Sequence, residues 1–403
     1  MPKLNSYRQF NGRHWETGSI HNHLAHRGWK APHTNQPYSE AFLLGVSGGI
    51  TFGYFTFIYE GVDPQANILT RSTFSPIDTI LSRLGVIQHR LQTSKLEKAV
   101  KNLVEALEEG VAPIVWADAW SLPYNQMPDT GMWLNWPIVV FGYDTAVNTA
   151  WIADRANVPF CIPTQELDKA RARIKKDKFR LLTLDPPHPA RLAGAATTGI
   201  WDCIKLFTEK PPKGSKNNFG LAAYRFWAKQ LTHPKQRLSW AKVFTPGIPM
   251  FAGLTFAYTM AFHFGKGTDG TADRELYAQF LEETAVLLNK PALTDAAVQF
   301  RKAGKAWQKL AAAMLPNNIN PFGEVRKLID KKHALFIEQG AEAADEILAI
   351  NGRLDQLRRQ METNFPLTDV ETVVFRQQLA DTVMGIHDAE ETAVAALKDA
   401  MLG

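Results

Sequence analysis

Residues 136–144, WPIVVFGYD, form an unbroken apolar run rich in β-branched side chains, and the turn-like DTAVN then leads into TAWIADRA. A continuous apolar run rich in β-branched residues reads as a strand, so the two segments should pair as a hairpin in a part of the chain that mixes α and β. The surroundings fit. Ser94 and Glu97 have the spacing of a capping box, and Ala99, Val100, Leu103, Val104 and Leu107 recur on one helical face. Gly110 then stands where a helix C-terminus wants it, and VAPIVWAD follows as a short buried strand.

After Pro163 and Thr164, QELDKARARIKKDKF reads as a basic helix, with Lys169, Arg173 and Lys176 spaced to share a face. Beyond about residue 180 strand signals fade. Helix starts are expected at Thr271, Thr294 and Thr368, the last as a capping box with Glu371. KPPKGSKNN, 210–218, has the composition of an exposed loop. The fold class is therefore α+β, a small antiparallel sheet followed by a mainly helical part, divided into domains at 1–165 and 166–403.

At 403 residues and 45% hydrophobic composition, the chain is long enough for two cored domains. The net charge of +5, from 45 basic and 40 acidic residues, gives no field that argues for nucleic acid. Cys161 and Cys203 cannot make a disulfide framework and the N-terminus has no secretory pattern, so a cytoplasmic location is expected. EAFLLGVSGGITFGYFTFIY and GIPMFAGLTFAYTMAFHF are interrupted by glycines, Pro249 or His263 and read as buried strands or core segments, not membrane spans.

FNGRHWETGSIHNHLAHRGWKAPHTNQPYSEAFLLGVSGGITFGYF resembles the opening of the butirosin-biosynthesis protein H N-terminal family, with its helix, glycine, Ser-Glu and glycine-rich run ending in an aromatic. The likeness extends through GVAPIVWADAWSLPY, VVFGYD, IADR and ELDKARAR, while GKGTDGTADRELYAQFLEETA is similar to the helical domain of unknown function that commonly follows. The resemblance implies a papain-like N-terminal domain related in shape to bacteriocin-processing cysteine peptidases. It also implies a family chemistry that moves an acyl group from a carrier-protein thioester to an amine. In such a site a cysteine sits at a helix N-terminus and a histidine from the sheet activates it.

Carried onto this chain, the cysteine position falls on Trp15 and the histidine position on Trp136 or Asn135. Asp154 stands where the orienting acid would lie, and Gln9 in a plausible place for an oxyanion donor. Indole is neither nucleophile nor general base at neutral pH, so the thioester route should be absent. Replacement chemistry would have to use His14, Glu16, Thr17 or Ser19, against the plainer alternative that Glu16 and Thr17 cap the helix while His14 packs. Trp15 and Trp136 are expected either to stack and seal the cleft or to form an aromatic wall.

Other motifs carry less. His14, His21, His23, His26 and His33 invite a metal, but His21 points away from the face shared by His23 and His26, and no carboxylate or cysteine completes a set. GVSGG, 45–49, has the spelling of a nucleophile elbow without the strand before and helix after it, which makes Ser47 a turn residue. In GKGTDG, Lys266, Thr268 and Asp269 are candidates for lining the cleft, Lys266 for meeting an anion. No cofactor and no metal are expected. The partners implied are an acyl or aminoacyl substrate, an acyl carrier protein docking on the basic helix, and a second copy of the chain.

Two functions remain: a family member with non-cysteine chemistry in the same cleft, and a catalytically inactive binding or scaffolding protein.

Overall fold

The computed structural model describes residues 3–127, 133–211 and 213–403. In chain order the first elements are α1 (Trp15–His26), β1 (Lys30–Ala31), β2 (Gln36–Pro37), α2 (Glu40–Val46), β3 (Ile50–Phe57) and β4 (Gln65–Arg71). Next come α3 (Pro76–Arg83), β5 (Gln88–Leu91), α4 (Leu96–Glu108), β6 (Ile114–Asp118), β7 (Asn135–Asp144), β8 (Thr149–Ala153), β9 (Phe160–Ile162), α5 (Thr164–Arg173) and β10 (Leu181–Leu184). The remainder is helical: α6 (Leu192–Thr208), α7 (Gly220–Thr232), α8 (Trp240–Val243), α9 (Ile248–Phe262), α10 (Arg274–Leu288) and α11 (Ala292–Met314). It ends with α12 (Phe322–Gln339), α13 (Ala344–Gln360) and α14 (Asp369–Leu402). The class is α+β.

The chain forms two compact units and passes back and forth between them. The first comprises residues 1–43, 75–192 and 334–348, the second 44–74, 193–333 and 349–403.

The first unit is built on a six-stranded antiparallel sheet in the order β5-β10-β6-β7-β8-β9. The expected hairpin is β7–β8, with Tyr143 opposite Ala150 and Asp144 opposite Thr149. The uninterrupted hydrophobicity of β7 is explained by its burial from Trp136 to Tyr143. Ile138 and Val140 share a core with Leu103 and Leu107 of α4 and Leu167 and Ala170 of α5. Phe141 stacks on Tyr7, with centroids 4.6 Å apart, and α1 also packs on β7. Gly110 takes its left-handed φ of +76° just past α4, as a helix C-terminus requires.

Three local expectations are corrected here. Ser94 and Glu97 form no capping box: Thr93 Oγ1 accepts from Lys95 N at 3.1 Å, which makes Lys95 the N-cap and starts the helix one residue late. α5 stops at Arg173 because Ile174 leaves helical geometry, so Lys176 lies in a separate short 3-10 turn and does not share the face of Lys169 and Arg173. Strand signal also persists past residue 180, since β10 pairs with both β5 and β6.

In the second unit, the stretch after Glu40 divides into a helix and a strand. Gly48 and Gly49, with φ of +109° and +72°, turn the chain into β3, which pairs antiparallel with β4. GIPMFAGLTFAYTMAFHF is a helix, α9, and not a strand: Pro249 sits in its first turn, and a Cβ on Gly253 would meet the Phe244 ring at 2.4 Å. Around the hairpin, Phe52 stacks on Tyr224 at 3.9 Å and lies near Trp227 and Trp307.

α14 starts with the full capping box of Thr368 and Glu371. α11 begins at Ala292, after Pro291, so Thr294 lies inside its first turn. α10 begins at Arg274, because Ala272 and Asp273 take left-handed φ and delay the helix past Thr271. Of the loop at 210–218, Pro212 lies outside the described residues, and 216–218 form a 3-10 turn. No helix among the described residues is long and apolar enough to cross a membrane.

Candidate functional site

The N-terminus of α1 is held by two acceptors. His14 is the N-cap in extended geometry, and its Nδ1 accepts from the Glu16 N–H at 3.3 Å. Glu40 accepts from the Arg13 N–H at 2.7 Å, the His14 N–H at 2.9 Å and the Thr17 hydroxyl at 2.6 Å. A carboxylate therefore occupies the positive end of the helix dipole, the place where a thiolate would gain its stabilisation. The loop before α1 can lie this close because Gly12 faces Gly18, where a Cβ would come within 2.5 Å of the Gly18 carbonyl oxygen. The Asn22 Oδ1 accepts from Gly12 N at 3.1 Å, and the Ser19 hydroxyl donates to the Pro137 carbonyl at 3.0 Å, tying α1 to β7.

That tie brings Trp15 against Trp136. The rings are parallel, with 4.8 Å between centroids and 7° between planes. The His14 imidazole lies 3.8 Å from the Trp15 ring on one side, and the Arg155 guanidinium 4.2 Å from the Trp136 ring on the other. Arg155 also stands 4.9 Å from the Phe336 ring. The result is a continuous ladder of imidazole, indole, indole, guanidinium and phenyl.

Arg155 is aimed by buried acceptors. Asp154 takes its Nε at 2.8 Å and an NH2 at 2.9 Å, and Asn125 Oδ1 takes the same NH2 at 2.6 Å. Tyr124 also donates to Asp154, at 3.0 Å, and burial followed by the Asp154 charge drives that hydroxyl well above the usual tyrosine range. Asp154 thus orients an arginine, which in turn covers indole. Arg155 takes a left-handed φ of +53° to reach this position.

The first unit brings His14, Trp15, Glu16, Thr17, Trp136 and, through Arg155, Asp154 to one place. Glu16 Oε2 lies 3.9 Å from His14 Nδ1. Asn135 turns elsewhere, donating to Asp177 Oδ2 at 2.5 Å. Gln9 is half-buried and its side chain makes no hydrogen bond among the described residues. Residues not singled out by the sequence are Glu40 and Arg155, each of which sits beside or inside a quoted motif: Ser39-Glu40 and IADR.

The other histidines have structural work. His21 Nδ1 meets the Tyr38 carbonyl at 2.6 Å and His26 Nε2 the Gly110 carbonyl at 3.2 Å. His23 bridges chain segments, accepting from Leu184 N at 3.2 Å through Nε2 and donating from Nδ1 to the Ala112 carbonyl at 2.8 Å. Burial pushes its pKa down to about 4. His33 packs on Phe42 at 5.3 Å. Among the described residues, the one trio close enough to share a metal ion is His387, Asp388 and Glu391 on α14, and Arg225 lies against that imidazole at 2.5 Å.

Neither thiol resembles a nucleophile. Cys203 is buried in the second unit, with its pKa pushed up to about 12 by burial. Cys161 is exposed on β9, and partial burial still raises its pKa. The Ser47 hydroxyl is spent on the Leu44 carbonyl at 2.7 Å, in a helix-to-strand turn that reverses the order an elbow needs.

Lys266, Thr268 and Asp269 belong to the second unit. Lys266 is buried and donates to Asp273 Oδ2 and to Thr70 Oγ1, both at 2.5 Å, while Arg71 holds the other Asp273 oxygen at 2.7 Å. Burial brings the Lys266 pKa down to about 8 even beside that carboxylate. Its ammonium is thus already matched. Asp269 Oδ1 receives both the N–H and hydroxyl of Thr271 at 2.8 Å, and Thr268 is exposed. On α5, Lys169 pairs with Glu166 at 2.7 Å and Arg173 with Asp118 at 3.2 Å.

Comparison with known families gives two consecutive matches. Residues 14–155 match the family model described as butirosin biosynthesis protein H, N-terminal, and residues 165–335 match one described as domain of unknown function DUF4872. No curated protein matches the chain.

Proposed function

We propose that this protein, whose residues 14–155 match the butirosin biosynthesis protein H N-terminal family, a biosynthesis-related family, with the domain of unknown function behind them, is a catalytically silent relative of carrier-dependent acyltransferases. In this reading it keeps a papain-like frame and binds an acyl or aminoacyl ligand, or the acyl carrier protein that delivers one. The observation that carries it is the Trp15–Trp136 stack, 4.8 Å apart and nearly parallel, which joins the position the family resemblance assigns to cysteine with one of the two, Trp136 or Asn135, that it assigns to histidine.

A nucleophile and its base act as a unit, and removing either forfeits most of what the pair gives. Here Trp15 stands at the cysteine position and Trp136 or Asn135 at the histidine position, Asp154 orients Arg155, and Glu40 fills the helix mouth. In this reading the groups at the cysteine, histidine and orienting-acid positions serve packing or the placing of Arg155 instead.

The test is to incubate the full chain with an acyl-pantetheine thioester and with an acyl-loaded carrier protein, following thioester loss and intact mass. No turnover and no adduct are expected, with binding of the loaded carrier protein measurable by calorimetry. An acyl adduct on Cys161 or Cys203 would refute the reading.

A second reading has one observation behind it, the presence of the Glu16 carboxylate and the His14 imidazole, 3.9 Å apart, at the mouth of α1, an acid and a base of the kinds that act once a substrate draws them into hydrogen-bonding reach. Turnover that disappears in both His14→Ala and Glu16→Gln would favour it over the silent protein.

A further inference from the structure

Most of α14 buries its apolar side chains: Phe375, Leu379, Val383, Ile386, Val394 and Leu397 are all in the core. Its first two turns differ. Val370 is 75% exposed, Val373 58% and Val374 51%, at spacings that put them on one strip of the helix. Val370 and Val374 themselves line a shallow groove with Ile319, Leu367 and Phe375, whose polar lining is Glu371 and Gln378. An apolar strip of this kind, presented on a helix start already fixed by the Thr368–Glu371 capping box, costs little to order on binding.

The charges around the strip indicate what covers it. Asp369 and Arg376 are seven residues apart and so lie on the same side of the helix, one before the valines and one after them. Neither makes an ion pair or side-chain hydrogen bond among the described residues. An acid and a base placed symmetrically about an apolar centre form a pattern complementary to its own inverse, which is what a two-fold interface needs.

We propose that the first two turns of α14 pair antiparallel with those of a second copy of this chain, about a two-fold axis near Val373. Val370, Val373 and Val374 make the apolar seam, and Asp369 meets the partner's Arg376 on both sides of the axis. Arg376 is already half-buried, and burial lowers its pKa, so a carboxylate opposite it relieves a desolvated cation. This inference stands apart from the silent-acyltransferase reading and survives or fails without it.

The experiment is sedimentation of the full chain over a wide concentration range. The wild type should dimerise, and Val373→Glu should abolish the dimer. Asp369→Arg should weaken it by about tenfold or more, the size expected for one lost charge pair plus a like-charge contact. The swap Asp369→Arg with Arg376→Glu should restore association. At concentrations where the wild type is monomeric, thermal unfolding of Val373→Glu should match the wild type, since that side chain is exposed, and the melting temperature of Asp369→Arg should be lowered by no more than a few degrees, the effect of losing an acidic residue from the first turn of α14. A wild type that is monomeric throughout, a dimer indifferent to Val373→Glu, or a charge swap that fails to rescue would each overturn the proposal.

Discussion

The mouth of α1 and the ionic centre of the second unit manage charge in opposite ways. At the mouth, a single carboxylate, Glu40, satisfies helix N–H groups, and flat rings fill the space between α1 and β7. In the second unit, Arg274 and Glu390 are both fully buried and bonded at 2.5 Å, with Trp307 Nε1 donating to the same carboxylate at 3.0 Å. Arg71, Asp273, Lys266 and Thr70 make a second buried knot nearby in sequence. The difference teaches what each region is for. Indoles and a cap fill the space between α1 and β7 at little electrostatic risk, whereas a buried ion pair makes folding depend on both partners being present.

The comparison breaks most visibly at Glu390. Glu390→Ala should strand the Arg274 charge and cost about 3–5 kcal/mol of stability, read as the urea midpoint. The double change Arg274→Met with Glu390→Leu should recover most of that loss. If the single variant were as stable as the wild type, the ionic centre would not be a folding requirement.

Trp136→Ala comes next, because it removes a buried ring from between Trp15 and Arg155; a loss of about 3 kcal/mol is expected by the same measurement. A loss under about 1 kcal/mol would mean that the stack fills space without supporting the fold.

A pH titration separates the two kinds of site further. The folded His23 pKa is held near 4 against the ordinary 6.5, so the unfolded chain binds the proton first as pH falls. His23 therefore contributes full stability above about pH 6.5 and loses it towards pH 4, at up to about 1.4 kcal/mol per pH unit. His23→Gln should flatten the melting temperature across that window, and an unchanged slope would remove His23 as its source.

The smallest effect belongs to Glu40→Gln, which keeps an acceptor but loses the charge at the helix start. About 1 kcal/mol is expected, diminishing in high salt.

What the sequence conveyed depended on how local the cause was. The β7–β8 hairpin and the Thr368–Glu371 cap are written in neighbouring residues and can be read there. The Ser94–Glu97 cap has the same spelling but fails, because Thr93 one residue earlier captures the Lys95 N–H first. The segment of α9 reads equally as a strand or as a core segment, and its glycines and aromatics do not decide between them because they serve partners outside it, Gly253 admitting the Phe244 ring. At the site, Trp15 and Trp136 are distant in the chain, and only likeness to a family brings them together on paper. Glu40 and Arg155 lie in short stretches quoted for the family likeness, Ser39-Glu40 and IADR, but only folding reveals that one caps α1 and the other stacks on an indole.

Two indoles held parallel and in contact interact through their electronic transitions, so the Trp15–Trp136 pair should give the far-ultraviolet dichroism a paired positive and negative band absent from isolated tryptophan. The protein thereby carries a built-in optical signal at the junction of α1 and β7. Any molecule that slides between the rings erases that signal, and one that binds elsewhere leaves it intact.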